Sequence, residues 1–104
     1  MYTVTITKTA EQDLLDAAIY IAHTLSNKTA ANRLLDRADA AADSLAQNPM
    51  RQPLVKDSCL SEKGLRSLPV GNYLLIYAVR EKAKAVSIIR FVHSRREWGH
   101  LFQK

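Results

Sequence analysis

Tyr73-Leu74-Leu75-Ile76-Tyr77-Ala78-Val79-Arg80-Glu81-Lys82-Ala83-Lys84-Ala85-Val86-Ser87-Ile88-Ile89-Arg90-Phe91-Val92 sets two dense apolar runs, residues 73–79 and 86–92, on either side of a charged tract, Arg80 to Lys84. Runs this short, rich in β-branched and aromatic residues, predict two strands folded back through a hairpin turn. Just upstream, Leu65 to Val70 predicts another strand. Its Pro69 places it at a sheet edge or strand end, because proline cannot donate to a central ladder.

Further toward the N-terminus the period changes. Tyr2, Val4 and Ile6 alternate with Thr3, Thr5 and Thr7, the pattern of a half-buried first strand. Thr9 followed by Gln12 matches a capping box, and Leu14, Ala18, Ile21, Ala22 and Leu25 then recur at helical spacing. Ser26-Asn27-Lys28 interrupts that pattern, and Thr29 is placed to cap a second helix with the apolar stripe Leu34, Leu35, Ala38, Ala41, Ala42 and Leu45. So short a link makes the two helices a hairpin. Asn48-Pro49 ends it, and a long connection containing Pro53, Asp57, Ser58 and Gly64 follows. Glu97 to Phe102 predicts one short terminal helical turn. The element order β-α-α-β-β-β, closed by that turn, predicts an α+β domain: an antiparallel sheet packed against an N-terminal helical hairpin.

A chain of 104 residues with a 47% apolar fraction has room for a single domain, spanning 1–104, around one core. Cys59 is the only cysteine, so no internal disulfide forms, and no Cys/His spacing resembles a zinc site. No cofactor is expected, and a cytoplasmic protein is the default. The alternating N-terminus lacks the apolar stretch of a signal peptide, and no later segment approaches membrane-spanning length. Charge is distributed unevenly: residues 1–48 hold four bases against six acids, and residues 49–104 hold eleven bases against four, within a net +5. That asymmetry suits a nucleic acid or an acidic protein as partner, or a domain that is basic for solubility alone.

The positive half culminates in His93-Ser94-Arg95-Arg96-Glu97-Trp98, at the exit of the last strand. Arg95 and Arg96 offer planar, bidentate donors to phosphate, or a rim ion pair with Glu97 or Glu81. His93 is a candidate proton-transfer group, or an ordinary hydrogen-bonded side chain. Trp98 either stacks on a base or lids the core with Leu101 and Phe102. Alternation points Arg66 toward the sheet face or rim that the helices leave uncovered, as a site residue or a solvated strand arginine. Lys63 and Arg90 join Trp98 as nucleic-acid-binding candidates. Tyr73 and Tyr77 share a face, which alternation does not assign to core or to site. No glycine-rich phosphate loop and no recognisable Ser or Cys nucleophile competes with this cluster.

Gly64-Leu65-Arg66-Ser67-Leu68-Pro69-Val70-Gly71-Asn72-Tyr73-Leu74-Leu75-Ile76-Tyr77 and Ile89-Arg90-Phe91-Val92-His93-Ser94-Arg95-Arg96-Glu97-Trp98, with the strand-helix-helix opening, resemble the RelE/ParE superfamily of toxins from bacterial type II toxin-antitoxin modules. The resemblance extends over essentially the whole chain. It implies a growth-inhibiting toxin held inactive by a cognate acidic antitoxin whose extended C-terminal segment wraps it. RelE-like members are ribosome-dependent endonucleases that cut mRNA without a metal, driving the 2′-hydroxyl onto the adjacent phosphate. ParE-like members instead inhibit DNA gyrase without catalysis. On the first reading Arg66, Arg95 and Arg96 bind the scissile phosphate and His93 moves the proton. The tyrosine of the RelE-like pattern falls on Gly99, which leaves His93 or His100 for the acid/base role.

Overall fold

The computed structural model describes residues 1–52, 54 and 64–95. Lys63, Arg96, Trp98 and the short terminal helix expected over Glu97 to Phe102 lie outside the described residues. Strand β1 (Thr3–Ile6) leads into helix α1 (Lys8–Ile19), which continues through a π-helical turn, Tyr20–Thr24. Helix α2 (Lys28–Gln47) and a 3-10 turn, Pro49–Arg51, come next. The chain then forms β2 (Leu65–Val70), β3 (Tyr73–Arg80) and β4 (Ala85–His93). Among the described residues no helix is long and apolar enough to cross a membrane.

The four strands form one sheet in the order β1-β4-β3-β2. β2, β3 and β4 pair antiparallel, as the hairpin pattern predicts. β1 departs from that pattern and joins β4 in parallel, with Thr3 opposite Ala85 and Ile6 opposite Ile88. The reason is connectivity: β3 already occupies one side of β4, so the N-terminal strand takes the other, and the helical hairpin carries the chain back over the sheet.

Both helices begin two residues earlier than the sequence pattern suggests. Thr7 caps α1, its hydroxyl accepting from the Ala10 N–H, and the Asn27 side chain caps α2 by accepting from the Ala30 N–H. Thr7 wins over Thr9 because its hydroxyl has a second use: it donates to the Ile89 carbonyl of β4 at 3.1 Å. The link before α2 turns through Ser26, a non-glycine residue at φ 51°.

A bulge in β4 sets the faces of the sheet. Ile76 pairs with Arg90 and Tyr77 with Ile88, so Ile89 is an extra, unpaired residue. That insertion lets Ile88 and Phe91, three positions apart, both enter the main core with Leu75, Tyr77, Ala10, Leu34 and Leu45 under the helices. A smaller cluster, Leu65, Ile76 and Val92, lies on the opposite face. Tyr73 and Tyr77 therefore face the helical side, and Tyr77 is fully buried. Its hydroxyl donates to the Pro49 carbonyl at 2.7 Å, tying the end of the hairpin to the sheet.

Candidate functional site

β1 pairs with β4 only as far as Ile88, which leaves residues 89–93, more than half of β4, without a strand partner on that edge. The cap and first turns of α1 close it with one backbone and several side-chain bonds. The Thr7 N–H donates to the Ile88 carbonyl at 3.0 Å, and the Asp13 carboxylate accepts the Phe91 N–H at 3.0 Å. The same carboxylate takes two bonds from Arg90, Nε at 2.7 Å and Nη2 at 3.1 Å. Both side chains of this ion pair are largely shielded from solvent. Arg90 is thus committed to holding α1 on β4, and its bidentate fork is filled by protein rather than offered to a nucleic acid.

Arg66 is likewise committed. It stands directly opposite Tyr77 in the β2–β3 ladder, so it shares the helical face with Leu68 and Val70 and does not point to the uncovered side. The misassignment has a simple physical origin: Leu65, not Arg66, contributes to the opposite-face cluster, so the alternation of β2 is inverted relative to the expectation. The Arg66 guanidinium donates to the Gln52 carbonyl, and the Arg66 backbone forms an isolated bridge with Leu54. With the Tyr77 bond to Pro49, these contacts clasp the segment leaving α2 onto the sheet. Burial raises the Tyr77 phenol above its ordinary pKa, against the opposing pull of the nearby Arg66 and Arg51 guanidinium groups.

At the exit of β4 the Ser94 N–H donates to the Asn72 carbonyl at 2.8 Å, bringing the β2–β3 turn against the end of the last strand. His93 lies opposite Tyr73, ring edge to ring face, with centroids 5.2 Å apart, and Tyr73 stacks on Phe91 at 5.0 Å. The Arg95 N–H points at His93 Nδ1, 3.2 Å away. In the neutral ring this contact occupies Nδ1 as an acceptor. Burial, and next to it the neighbouring Tyr20, push the Tyr73 phenol up. The exposed Arg95 side chain makes no ion pair or hydrogen bond with a described residue.

The structure also brings to this end two cations that the sequence reading left in the acidic half. Arg33 and Arg37, one turn apart on α2, line a cleft of about 210 Å³ with Asn72 and Tyr73, the residue against His93. Arg37 and Gly71 also line an adjoining groove of about 410 Å³ that reaches Ser44 and Arg51. The other side of α2 is different in character. There Asp39 and Asp43 flank a cavity of about 360 Å³ lined chiefly by apolar residues, including Val4, Leu14, Leu75 and Phe91. The i, i+4 spacing of two arginines was the available signal for the basic side, masked in the charge count by the aspartates on the same helix.

Residues 4–98 match the family described as ParE toxin of type II toxin-antitoxin system, parDE. Among solved structures the chain is similar to one chain of the toxin-antitoxin complex RelBE2 from Mycobacterium tuberculosis, at 26% identity and a TM-score of 0.66, covering 88% of this chain and 96% of that one. A chromosomal ParDE toxin-antitoxin system from P. aeruginosa gives 17% identity and a TM-score of 0.71, over 89% and 96% of the two chains. The archaeal RelE-RelB complex from Pyrococcus horikoshii gives 20% identity and a TM-score of 0.53, over 91% and 97%, and like the ParDE likeness it speaks to fold alone. No curated protein sequence matches the chain.

Proposed function

The chain belongs to the ParE toxin family of type II toxin-antitoxin systems, and from that premise we propose that it arrests growth as a non-catalytic inhibitor of DNA gyrase. The observation that carries this reading is that Arg66 and His93, two of the four groups a nuclease would use, are engaged within the protein, as is the neighbouring Arg90, while the Arg95 side chain is exposed without a partner among the described residues. Arg66 serves the Gln52 carbonyl, Arg90 serves Asp13, and His93 receives the Arg95 N–H on Nδ1. A metal-free ribonuclease needs cations free to surround a phosphorane and a group positioned to take the 2′-hydroxyl proton. Gly99 stands where the RelE-like pattern places its tyrosine. An inhibitor acting by contact needs neither, only a rigid surface, which the clasped sheet and helical hairpin supply.

The partner that neutralises such a toxin is an antitoxin, as in the RelBE2, ParDE and RelE-RelB complexes. The net charge of +5 favours an acidic one, drawn in by long-range attraction. A supercoiling assay with purified gyrase and relaxed plasmid tests the target directly. The expected outcome is loss of supercoiling, with gyrase-DNA covalent complexes accumulating on denaturation; full supercoiling at a large molar excess of the chain refutes the reading.

A ribosome-dependent mRNA endonuclease is the second reading, favoured by one observation: His93, Tyr73 and Arg95 converge at the exit of β4. There Arg95 and Arg96 bind phosphate, and His93 exchanges the proton after losing the Arg95 N–H contact. On that reading His93→Ala abolishes toxicity in cells; on the gyrase reading it leaves toxicity largely intact.

A further inference from the structure

On helix α2, Asp39 and Asp43 line the apolar cavity, whereas Arg33 and Arg37 line the cleft at the β2–β3 turn. We propose that the groove between α2 and the β2–β3 turn, carrying Arg33, Arg37 and Arg51, binds the phosphodiester backbone of a nucleic acid.

The two clefts that share Arg37 and Gly71 form one continuous groove, running from Arg33 beside Tyr73 to Arg51 beyond Ser44. All three arginines are exposed, and none has a carboxylate within ion-pair distance among the described residues. Arg33 and Arg37 stand about 5–6 Å apart at Cβ, as i, i+4 neighbours do, and guanidinium forks match phosphate oxygens in pairs. The third is held in place: Arg51 donates to the Ser44 hydroxyl at 3.1 Å, and that hydroxyl donates to the Ala41 carbonyl. At the turn, Gly71 adopts φ +59°, and a Cβ there would lie 3.5 Å from Arg37 Nη1, so the guanidinium packs close over the turn backbone.

The lining of the groove holds three arginines and no carboxylate, and this selects the ligand. Its apolar floor, Leu34, Leu68 and Val70, is 6%, 8% and 4% exposed and has almost no area to give an incoming apolar side chain. A peptide helix seeking anchors finds only the half-buried Ile21 and Tyr73, Pro69 and small alanines. Addition of a peptide strand to the outer edge of β2 is also blunted, because Pro69 has no N–H to offer and Arg66 is already bridged to Leu54. A ligand recognised by its regularly spaced negative charge remains, and a phosphodiester chain is that ligand. The proposal is independent of whether gyrase or the ribosome is the target.

The test is fluorescence anisotropy of the full chain with a labelled 20-base-pair DNA duplex and, separately, a single-stranded RNA of equal length, each titrated with salt. The variant is Arg33→Glu/Arg37→Glu. Its control, Arg80→Glu/Lys82→Glu, makes the same charge change at the hairpin turn on the far end of the sheet. The expected result is a loss of at least about tenfold in affinity for the α2 variant and less than about threefold for the control, with the salt slope of the α2 variant shallower by about 2. The arm that binds tighter identifies the source of the backbone, DNA or RNA. Arg33→Gln/Arg37→Gln repeats the test with half the charge change, and a thermal melt checks that each variant is folded. Equal losses in the α2 and control variants, or no salt-dependent binding to either oligonucleotide, overturn the proposal. So does tighter, variant-sensitive binding of polyglutamate, which assigns the groove to an acidic polypeptide.

Discussion

Two pairs of arginines in this molecule look alike as sequence and differ completely in circumstance. Arg66 and Arg90 lie in strands, partly buried, each with its guanidinium bonded to an oxygen of the protein: the Gln52 carbonyl and the Asp13 carboxylate. Arg33 and Arg37 lie on a helix surface, exposed, with no ion-pair partner among the described residues. The first pair is spent on architecture: Arg90 is forked onto a carboxylate, and Arg66 anchors the carbonyl of the segment leaving α2. The second pair is available to a ligand. Positive charge in a sequence therefore identifies the field of a protein but not the residues that use it.

Substitutions sharpen this contrast, and the largest effect belongs to the architectural pair. Asp13→Ala removes both the Arg90 partner and the acceptor of the Phe91 N–H, leaving a shielded cation and a strand-edge donor unpaired. Urea denaturation is expected to show a loss of about 2–4 kcal/mol. A loss under about 0.5 kcal/mol breaks the contrast, because Arg90 would then be as idle as Arg33.

Tyr77→Phe comes next. It deletes the hydroxyl that ties Pro49 to the sheet and leaves a carbonyl without its partner, at a cost of about 1–2 kcal/mol. The same residue gives stability an alkaline limb. Its phenol is raised in the folded state, so its contribution is complete below the ordinary tyrosine value of 10.0 and is lost as pH rises through the higher folded value. Denaturation measured from pH 8 to 11 is expected to fall above pH 10 in the native chain and to fall less steeply in Tyr77→Phe. Identical slopes would show that burial of this phenol does not govern the limb.

The smallest effect belongs to the exposed pair. Arg33→Gln and Arg37→Gln should each change stability by less than about 0.5 kcal/mol, because neither side chain completes a structural bond among the described residues. A larger loss for either one would place it with Arg66 and Arg90.

The strands were legible because two apolar runs around a charged tract have few other ways to fold, and the observed β3 and β4 lie within a residue or two of those runs. The helix starts were less legible. Thr7 and Thr9 are both adequate caps, and only the Thr7 bond to the Ile89 carbonyl, between residues 82 positions apart, selects between them. The place of β1 depended on which side of β4 was vacant, a fact of the assembled sheet. For the candidate site, sequence placed His93 and Arg95 correctly at the strand exit but could not see the carbonyl that engages Arg66 or the carboxylate that engages Arg90. Nor could it see that α2 delivers Arg33 and Arg37 to the neighbourhood of Tyr73, because the same helix carries three aspartates that cancel them in any count.

The measurement that bears most directly on the proposed mode of action is primer extension on a defined mRNA translated in a purified system, with and without this chain. If the arginines of the sheet are structural and the toxin acts without catalysis, the message stays intact while gyrase activity is lost. New 5′ ends appearing only on ribosome-bound message would contradict the account and return His93 and Arg95 to a catalytic role.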